Sequence, residues 1–221
     1  MLDRRALLAA LIATPALGGV LRAEDTAPGE ETLPLEAGER VVPRRVPTEL
    51  AERALAFPAA PDVGGDARDV VFLEFFDYNC PWCRASARQI ADLVAETRVS
   101  YRLVNYPILS AASREAAAIA LGFLALHGAD AYRALHLAIF SARGLIDGAR
   151  VLSIAEELGH DVEAIGRAAA LPGIEPALDD MLAVGRSLGL DATPSTLVGP
   201  VAFDGYLTPA RKRAIVADLR A

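Results

Sequence analysis

The chain has 221 residues, with 22 basic against 29 acidic side chains and a formal net charge of −7. That acidic balance lacks the basic footprint nucleic-acid binding needs and excludes that class of partner. Hydrophobic residues at 53% rule out a disordered chain, and the length suits one domain with an embellishment or two small ones.

Residues 1–23 carry Arg4 and Arg5, then an apolar run from Ala6 to Leu17, then small residues, the layout of a secretory signal peptide. The arginine pair also suits the twin-arginine route, although Asp3 stands before it. The run falls short of the roughly 20 residues a span needs, which argues against a retained anchor. Cleavage after Gly18 and after Ala23 both fit, and no later stretch is long and apolar enough to span a membrane. Without residues 1–23 the chain loses three arginines and one aspartate, leaving 19 basic and 28 acidic residues and a net charge of −9. Such a signal implies a periplasmic or secreted protein, in a compartment where a disulfide persists.

Residues 24–65 are rich in Pro, Glu and Gly and read as a partly mobile leader, with one short helix over 48–56 capped by Thr48. The ordered domain is expected over 66–221. Its first strand is Val70–Phe76, a nearly continuous apolar run buried on both faces. A helix follows from Pro81 to about Thr97, and Pro81 suits a first helical turn, where its missing N–H costs nothing. Val99, Tyr101 and Leu103 alternate along a second strand ending at Asn105. Strand, helix and strand form a βαβ unit with a right-handed crossover.

From about 110 to 188 the pattern is helical, in segments interrupted at His127-Gly128, Ala142-Arg143-Gly144 and Leu171-Pro172-Gly173. The segments share no repeat period, so this is a helical insertion and not a solenoid. The chain returns to β at Ser195–Val198, turns at Gly199-Pro200, and continues through Val201–Phe203. Thr208 caps a final helix with Pro209 at its first position. Lys212 in this helix is the only lysine of the chain and reads as a compositional bias towards arginine. His127, His136 and His160 read as surface or helix-packing residues.

Both cysteines lie in the stretch Phe75–Arg84, FFDYNCPWCR, where the buried strand gives way to the helix. The first amides of a helix have no intrahelical acceptors, so a thiolate on Cys80 is stabilised there and its acidity raised. Cys83, one turn on, can reach back to form a disulfide. Two other readings stand beside redox exchange. Half a zinc site needs further ligands, but there is no other cysteine and the three histidines have no ligand spacing. A purely structural disulfide closes a loop too short to restrain much of the unfolded chain.

FFDYNCPWC after a buried strand, with Thr193-Pro194 just before the strand at 195–198, resembles the DsbA-like branch of the thioredoxin superfamily over about residues 66–221. The resemblance implies an α/β thioredoxin fold with an all-helical insertion between the second and third core strands. It implies an exported thiol-disulfide oxidoreductase, with Cys80 attacking and Cys83 resolving, and without cofactor or metal. Pro194 would be the family's cis-proline, and its loop turns the backbone of Thr193 towards the site, where it can pair with an extended client strand. Glu74, six residues before Cys80, stands where the family often keeps a buried acid that helps move the resolving thiol's proton; a salt-bridged structural carboxylate is the alternative. Pro81 and Trp82 would face the client, the indole offering it an apolar contact.

The dipeptide between the cysteines is a departure. Strongly oxidising members often carry histidine there, whereas Trp82 cannot become a cation beside the thiolate, which implies a weaker oxidant. The expected partners are unfolded or reduced client proteins and a membrane redox partner. Dithiol oxidation is the first reading. The alternatives are an isomerase or reductase kept reduced by that partner, or a chaperone-like binding protein with incidental redox activity. A leader without long apolar heptads implies a monomer.

Overall fold

The computed structural model describes residues 41–57 and 59–221, so the expected signal peptide and the leader up to residue 40 lie outside the described residues. Five strands form one mixed sheet in the order β1-β5-β4-β2-β3. Beside one edge, β2 (Ala67–Phe76) runs parallel to the edge strand β3 (Val99–Asn105), joined by α2 (Pro81–Thr97). On its other side β2 pairs antiparallel with β4 (Ser195–Val198), β4 with β5 (Val201–Asp204), and β5 with β1 (Val42–Arg45).

The alternation of a strand explains the apolar run of β2. Phe72 and Phe76 enter one core layer with residues of α2 and of α7 (Pro209–Leu219), while Leu73 and Phe75 enter the opposite layer. That second layer contains Leu178 and Met181 of α6 (Ile174–Ser187) and Ala51 and Ala54 of α1 (Thr48–Leu55). Glu74 lies between Phe72 and Phe76 in sequence, and so is a carboxyl group on a face that is otherwise apolar.

Between β3 and β4 stands the helical insertion: α3 (Ala111–Ser141), α4 (Gly148–Glu157), α5 (Val162–Ala169) and α6. Ser110 caps α3, its hydroxyl accepting from the Ser113 amide at 3.1 Å. The break expected at His127-Gly128 is a kink within α3, where Gly128 takes φ 77, a left-handed value that favours glycine. Among the described residues no helix is long and apolar enough to cross a membrane.

Four local expectations are corrected. The sheet begins upstream of residue 66: the segment Val-Pro-Arg-Arg of β1 lacks an alternating pattern, and its proline is tolerated because β1 is an edge strand. Pro47, not Thr48, occupies the cap position of α1, and no side chain caps that helix. β2 starts at Ala67, with an irregular register between Ala67 and Val71. α5 went unread although Ile165 and Ala168 are buried at helical spacing; it spans only eight residues, and its start signal was Asp161, whose Oδ1 accepts from the amides of Glu163 and Ala164, both at 3.0 Å.

Candidate active site

The end of β2 and the start of α2 bring both cysteines to one end of the sheet, beyond the C-terminus of an interior strand. Cys80 is the residue before the first helical position, with extended backbone (φ −85, ψ 121), and Pro81 follows at the first position. The Cys80 backbone N–H donates to the Asp77 carbonyl at 3.1 Å, closing the turn between strand and helix. The Cys80 thiol donates to the Thr193 carbonyl at 3.0 Å. Thr193 precedes Pro194, and the peptide bond between them is cis. The loop before β4 and the strand-to-helix turn after β2 thus meet at one sulfur, 113 residues apart in sequence.

Both cysteines carry free thiols, and their environments differ. Cys83 hydrogen-bonds to Cys80, and this interaction leads the lowering of the Cys80 pKa from 9.0 to about 6. Burial opposes the shift, and the amides of Cys83 and Trp82 at the helix start add to it. The fully buried Cys83 is pushed well above the ordinary thiol range, first by burial, then by its bond to Cys80 and by the charges of Cys80 and Glu74. One thiol is therefore primed to ionise beside one that holds its proton.

Glu74 lies beneath the pair, 2% exposed, and Lys212 from α7, 1% exposed, reaches its Oε2 at 3.2 Å. The same oxygen accepts from the Ser86 hydroxyl at 2.6 Å and from the Tyr101 hydroxyl. The ammonium also donates to Ser86 Oγ and to Tyr101 Oη, both at 2.8 Å. This lysine, which composition alone made look incidental, is the buried counter-ion of the carboxylate. Its signal was its singularity: in a chain that uses arginine at 21 other positions, one compact ammonium with three rotatable donors fits a closed site that a planar guanidinium does not. Ser86, one turn after Cys83, and Tyr101 were read only as helix and strand positions. Glu74 thus has the salt bridge of the structural reading while it also bears on the Cys83 thiol.

Two further residues of the turn escaped the reading. Buried Asp77 accepts from the Asn79 amide at 2.8 Å through Oδ1 and from the Leu109 amide at 3.0 Å through Oδ2. Asn79 forms a reciprocal pair with the backbone of Ile146, donating to its carbonyl at 2.8 Å and accepting from its N–H at 2.9 Å. Farther in, Tyr78 Oη lies 3.2 Å from Tyr132 Oη and 3.4 Å from His136 Nδ1. Burial lowers the His136 pKa to about 3, so the ring is neutral. His127 and His160 pack against Phe123, with ring centroids at 4.5 and 4.6 Å.

Trp82 is exposed, and its ring lies 5.3 Å from that of Tyr206, which in turn accepts a hydrogen bond from Gln89. Of the residues singled out from sequence, Cys80 meets Thr193 beside the cis Pro194, Pro81 and exposed Trp82 follow at the helix start, Cys83 is buried behind Cys80, and Glu74 is buried as well.

The model of the DSBA-like thioredoxin domain family matches residues 71–211. A thioredoxin-like oxidoreductase from Silicibacter pomeroyi is 31% identical, with a TM-score of 0.71 over 76% of this chain and 96% of its own. The thiol-disulfide exchange protein alpha-DsbA2 from Wolbachia pipientis is 25% identical, with a TM-score of 0.71 over 77% and 92% of the two chains. BdbD from Bacillus subtilis, 16% identical, shares the fold with a TM-score of 0.65 over 76% and 97%. Among curated proteins none matches the chain.

Proposed function

Because the chain belongs to the DsbA-like family of thiol-disulfide oxidoreductases, we propose that it is an exported oxidase of client proteins that works through the Cys80–Cys83 disulfide. The observation that carries the reading is the asymmetry of the two thiols: Cys80 is lowered to about 6, while buried Cys83 is raised well above its usual range.

In the oxidised protein a client thiolate attacks Cys80 Sγ. The Cys80–Cys83 bond breaks, a Cys80–client bond forms, and Cys83 leaves. A Cys83 thiolate would be buried beside the Glu74 carboxylate, so it takes up a proton; Glu74, held by Lys212, Ser86 and Tyr101, is the group that helps move it. A second client thiolate then attacks the client sulfur of the mixed disulfide, and Cys80 departs as a stabilised thiolate. Two electrons pass from the client to the cysteine pair. One of the client's two protons is kept on Cys83 and the other is released. A membrane redox partner reoxidises the pair. Thr193 offers its backbone to an extended client segment, Pro194 shapes that loop, and Pro81 and Trp82 stand at the mouth. The protein acts as a monomer, in the periplasm or outside the cell.

A stable Cys80 thiolate makes Cys80 a good leaving group and favours the reduced form of the pair, which supports oxidation over reduction even though Trp82 carries no charge. The test is the reduction potential of the pair in glutathione buffers at neutral pH, read by thiol alkylation. A value near −120 mV, about that of DsbA, supports the oxidase. A value near −270 mV, about that of thioredoxin, moves the reading to a reductase or isomerase fed with electrons. The absence of any reversible couple refutes disulfide exchange.

A further inference from the structure

Cys83 Sγ must hold negative charge at two moments of disulfide exchange: when it leaves Cys80 as the disulfide opens, and when it attacks Cys80 Sγ to expel a bound thiol. Its surroundings oppose both. Burial, the bond to Cys80 and the charges of Cys80 and Glu74 all work against ionisation of this sulfur, and one contact works for it, a hydrogen bond from the backbone N–H of Asp77. The Asp77 nitrogen lies 3.5 Å from Cys83 Sγ, a bonding distance for an atom as large as sulfur.

This amide is available because of where β2 stops. Phe76, the last residue of the strand, pairs with Asn105, and its carbonyl accepts from the Tyr106 N–H. Asp77 has left the ladder, so its N–H is turned to the sulfur instead. Its other polar groups are engaged too. The carbonyl accepts from the Cys80 N–H at 3.1 Å. The carboxylate of Asp77, a residue only 1% exposed, holds the Asn79 amide at 2.8 Å and the Leu109 amide at 3.0 Å. The first is the local closure an aspartate makes in a turn. The second ties that turn to the segment joining β3 to α3. Asp77 thus meets the backbone of one cysteine and the sulfur of the other, with its side chain fixed on both flanks. An acid beside a sulfur that must turn negative opposes the chemistry by its charge, and the aim of its N–H is what compensates.

We propose that the Asp77 N–H is the donor that receives the charge on Cys83 Sγ as the disulfide opens, and that the Asp77 carboxylate is a positioning group that keeps this N–H on the sulfur. The inference rests on the disulfide-exchange reading above. A donor fixed in place before the charge develops needs no reorganisation when it forms. The N–H keeps its proton throughout. The electron pair of the broken S–S bond passes to Cys83 Sγ, and the proton that then neutralises it comes by way of Glu74.

The test isolates the step in which Cys83 acts. The reduced full chain is mixed with an aromatic disulfide, dithiobis(nitrobenzoate), and release of the coloured thiolate is followed by stopped flow. Cys80 first attacks the reagent, forming a mixed disulfide and releasing one nitrothiobenzoate. Cys83 then attacks Cys80 Sγ, forming the Cys80–Cys83 bond and releasing the second, so that two electrons pass from the cysteine pair to the reagent. Asp77→Ala should slow the second release about tenfold at neutral pH and raise its pH midpoint by about one pH unit, leaving the first release nearly unchanged. The titratable groups about Cys83, namely Cys80 and Glu74 with the Tyr101 and Lys212 bonded to it, are not altered. The sign is diagnostic. Loss of a negative charge near Cys83 would by itself favour its thiolate and speed the second release, so slowing marks the displaced N–H. Asp77→Asn keeps an acceptor for one of the two amides and should fall between the parent and Asp77→Ala. Replacing the Asp77 N–H by an ester oxygen, by semisynthesis of the full chain with the hydroxy-acid analogue of aspartate, leaves the carboxylate grip and should slow the second release at least as much. Thermal melts identify a side-chain variant that fails to fold, and the ester form then carries the test. A second release as fast as the parent's, or faster, in folded Asp77→Ala or in the ester form overturns the proposal. Failure of the exchange reading itself looks different: the unmodified chain gives no second release and forms no Cys80–Cys83 disulfide.

Discussion

If the Cys80 thiol titrates near pH 6, the potential of the pair must depend on pH in a particular way. At pH 7 such a thiol is roughly nine-tenths ionised, against about one part in a hundred for a thiol at its ordinary 9.0. Ionisation therefore favours the reduced folded form about tenfold at that pH, which corresponds to a ceiling of about 1.4 kcal/mol, or about 30 mV. Cys80 is only 5% exposed, yet it is less deeply enclosed than Cys83, and solvent screening trims that ceiling. The sign follows from the direction of the shift. The folded pKa is depressed, so the contribution is complete above pH 9 and is lost as pH falls through about 6. Below pH 6 the reduction takes up two protons with its two electrons, giving a slope of about −59 mV per pH unit. Above pH 6 one proton stays off Cys80 and the slope halves to about −30 mV per pH unit. The assay is redox equilibration between about pH 5 and 8, with Trp82 fluorescence as readout, backed by the pH dependence of alkylation of the reduced protein. A single unbroken slope through pH 8, or an alkylation midpoint near 9, refutes the reasoning.

Other substitutions probe the rest of the site. Cys80→Ser should abolish turnover of a reduced client, whereas Cys83→Ser should accumulate mixed disulfides visible on non-reducing gels; full activity in Cys80→Ser would remove Cys80 from its role. Lys212→Met leaves the Glu74 carboxylate buried without its counter-charge and should cost about 3–5 kcal/mol, lowering Tm by roughly 6–20 °C. The double variant Glu74→Gln/Lys212→Met should recover most of that loss, and a single variant that melts like the parent contradicts the ion pair. Gly185→Ala would drive a Cβ into the ring of Tyr106, whose hydroxyl is fixed on the Leu190 carbonyl at 2.8 Å; a loss of about 1–3 kcal/mol in denaturant unfolding is expected.

What sequence conveyed and what it hid divide along physical lines. The apolar run of β2, the proline at the first position of α2 and the Thr208-Pro209 start of α7 are local signals, and each stands within a few residues of its expected place. The cysteine pair was legible for the same reason, since strand, turn and helix start are contiguous. β1 was hidden because an edge strand needs neither alternation nor a donor at every position, and its partner β5 lies some 160 residues away. The buried network was hidden more thoroughly. Glu74, Ser86, Tyr101 and Lys212 belong to four different elements, and no periodicity links a lysine on the last helix to a carboxylate on a central strand. Asn79 looked like part of a motif but gave no hint of its partner, because Ile146 offers only backbone atoms.

The arrangement of the sheet also orders events in time. A ribosome makes Cys80 long before the Thr193 carbonyl that receives its thiol, 113 residues later, and before Lys212, which follows Glu74 by 138. Until β4, β5 and α7 have emerged, β2 has no antiparallel partner and the carboxylate beneath the cysteines has no counter-ion. The nascent chain thus carries its two thiols for more than a hundred residues of synthesis with only the local contacts of the strand-to-helix turn to distinguish them. The surroundings of the pair are completed only when residues 193–212 are in place.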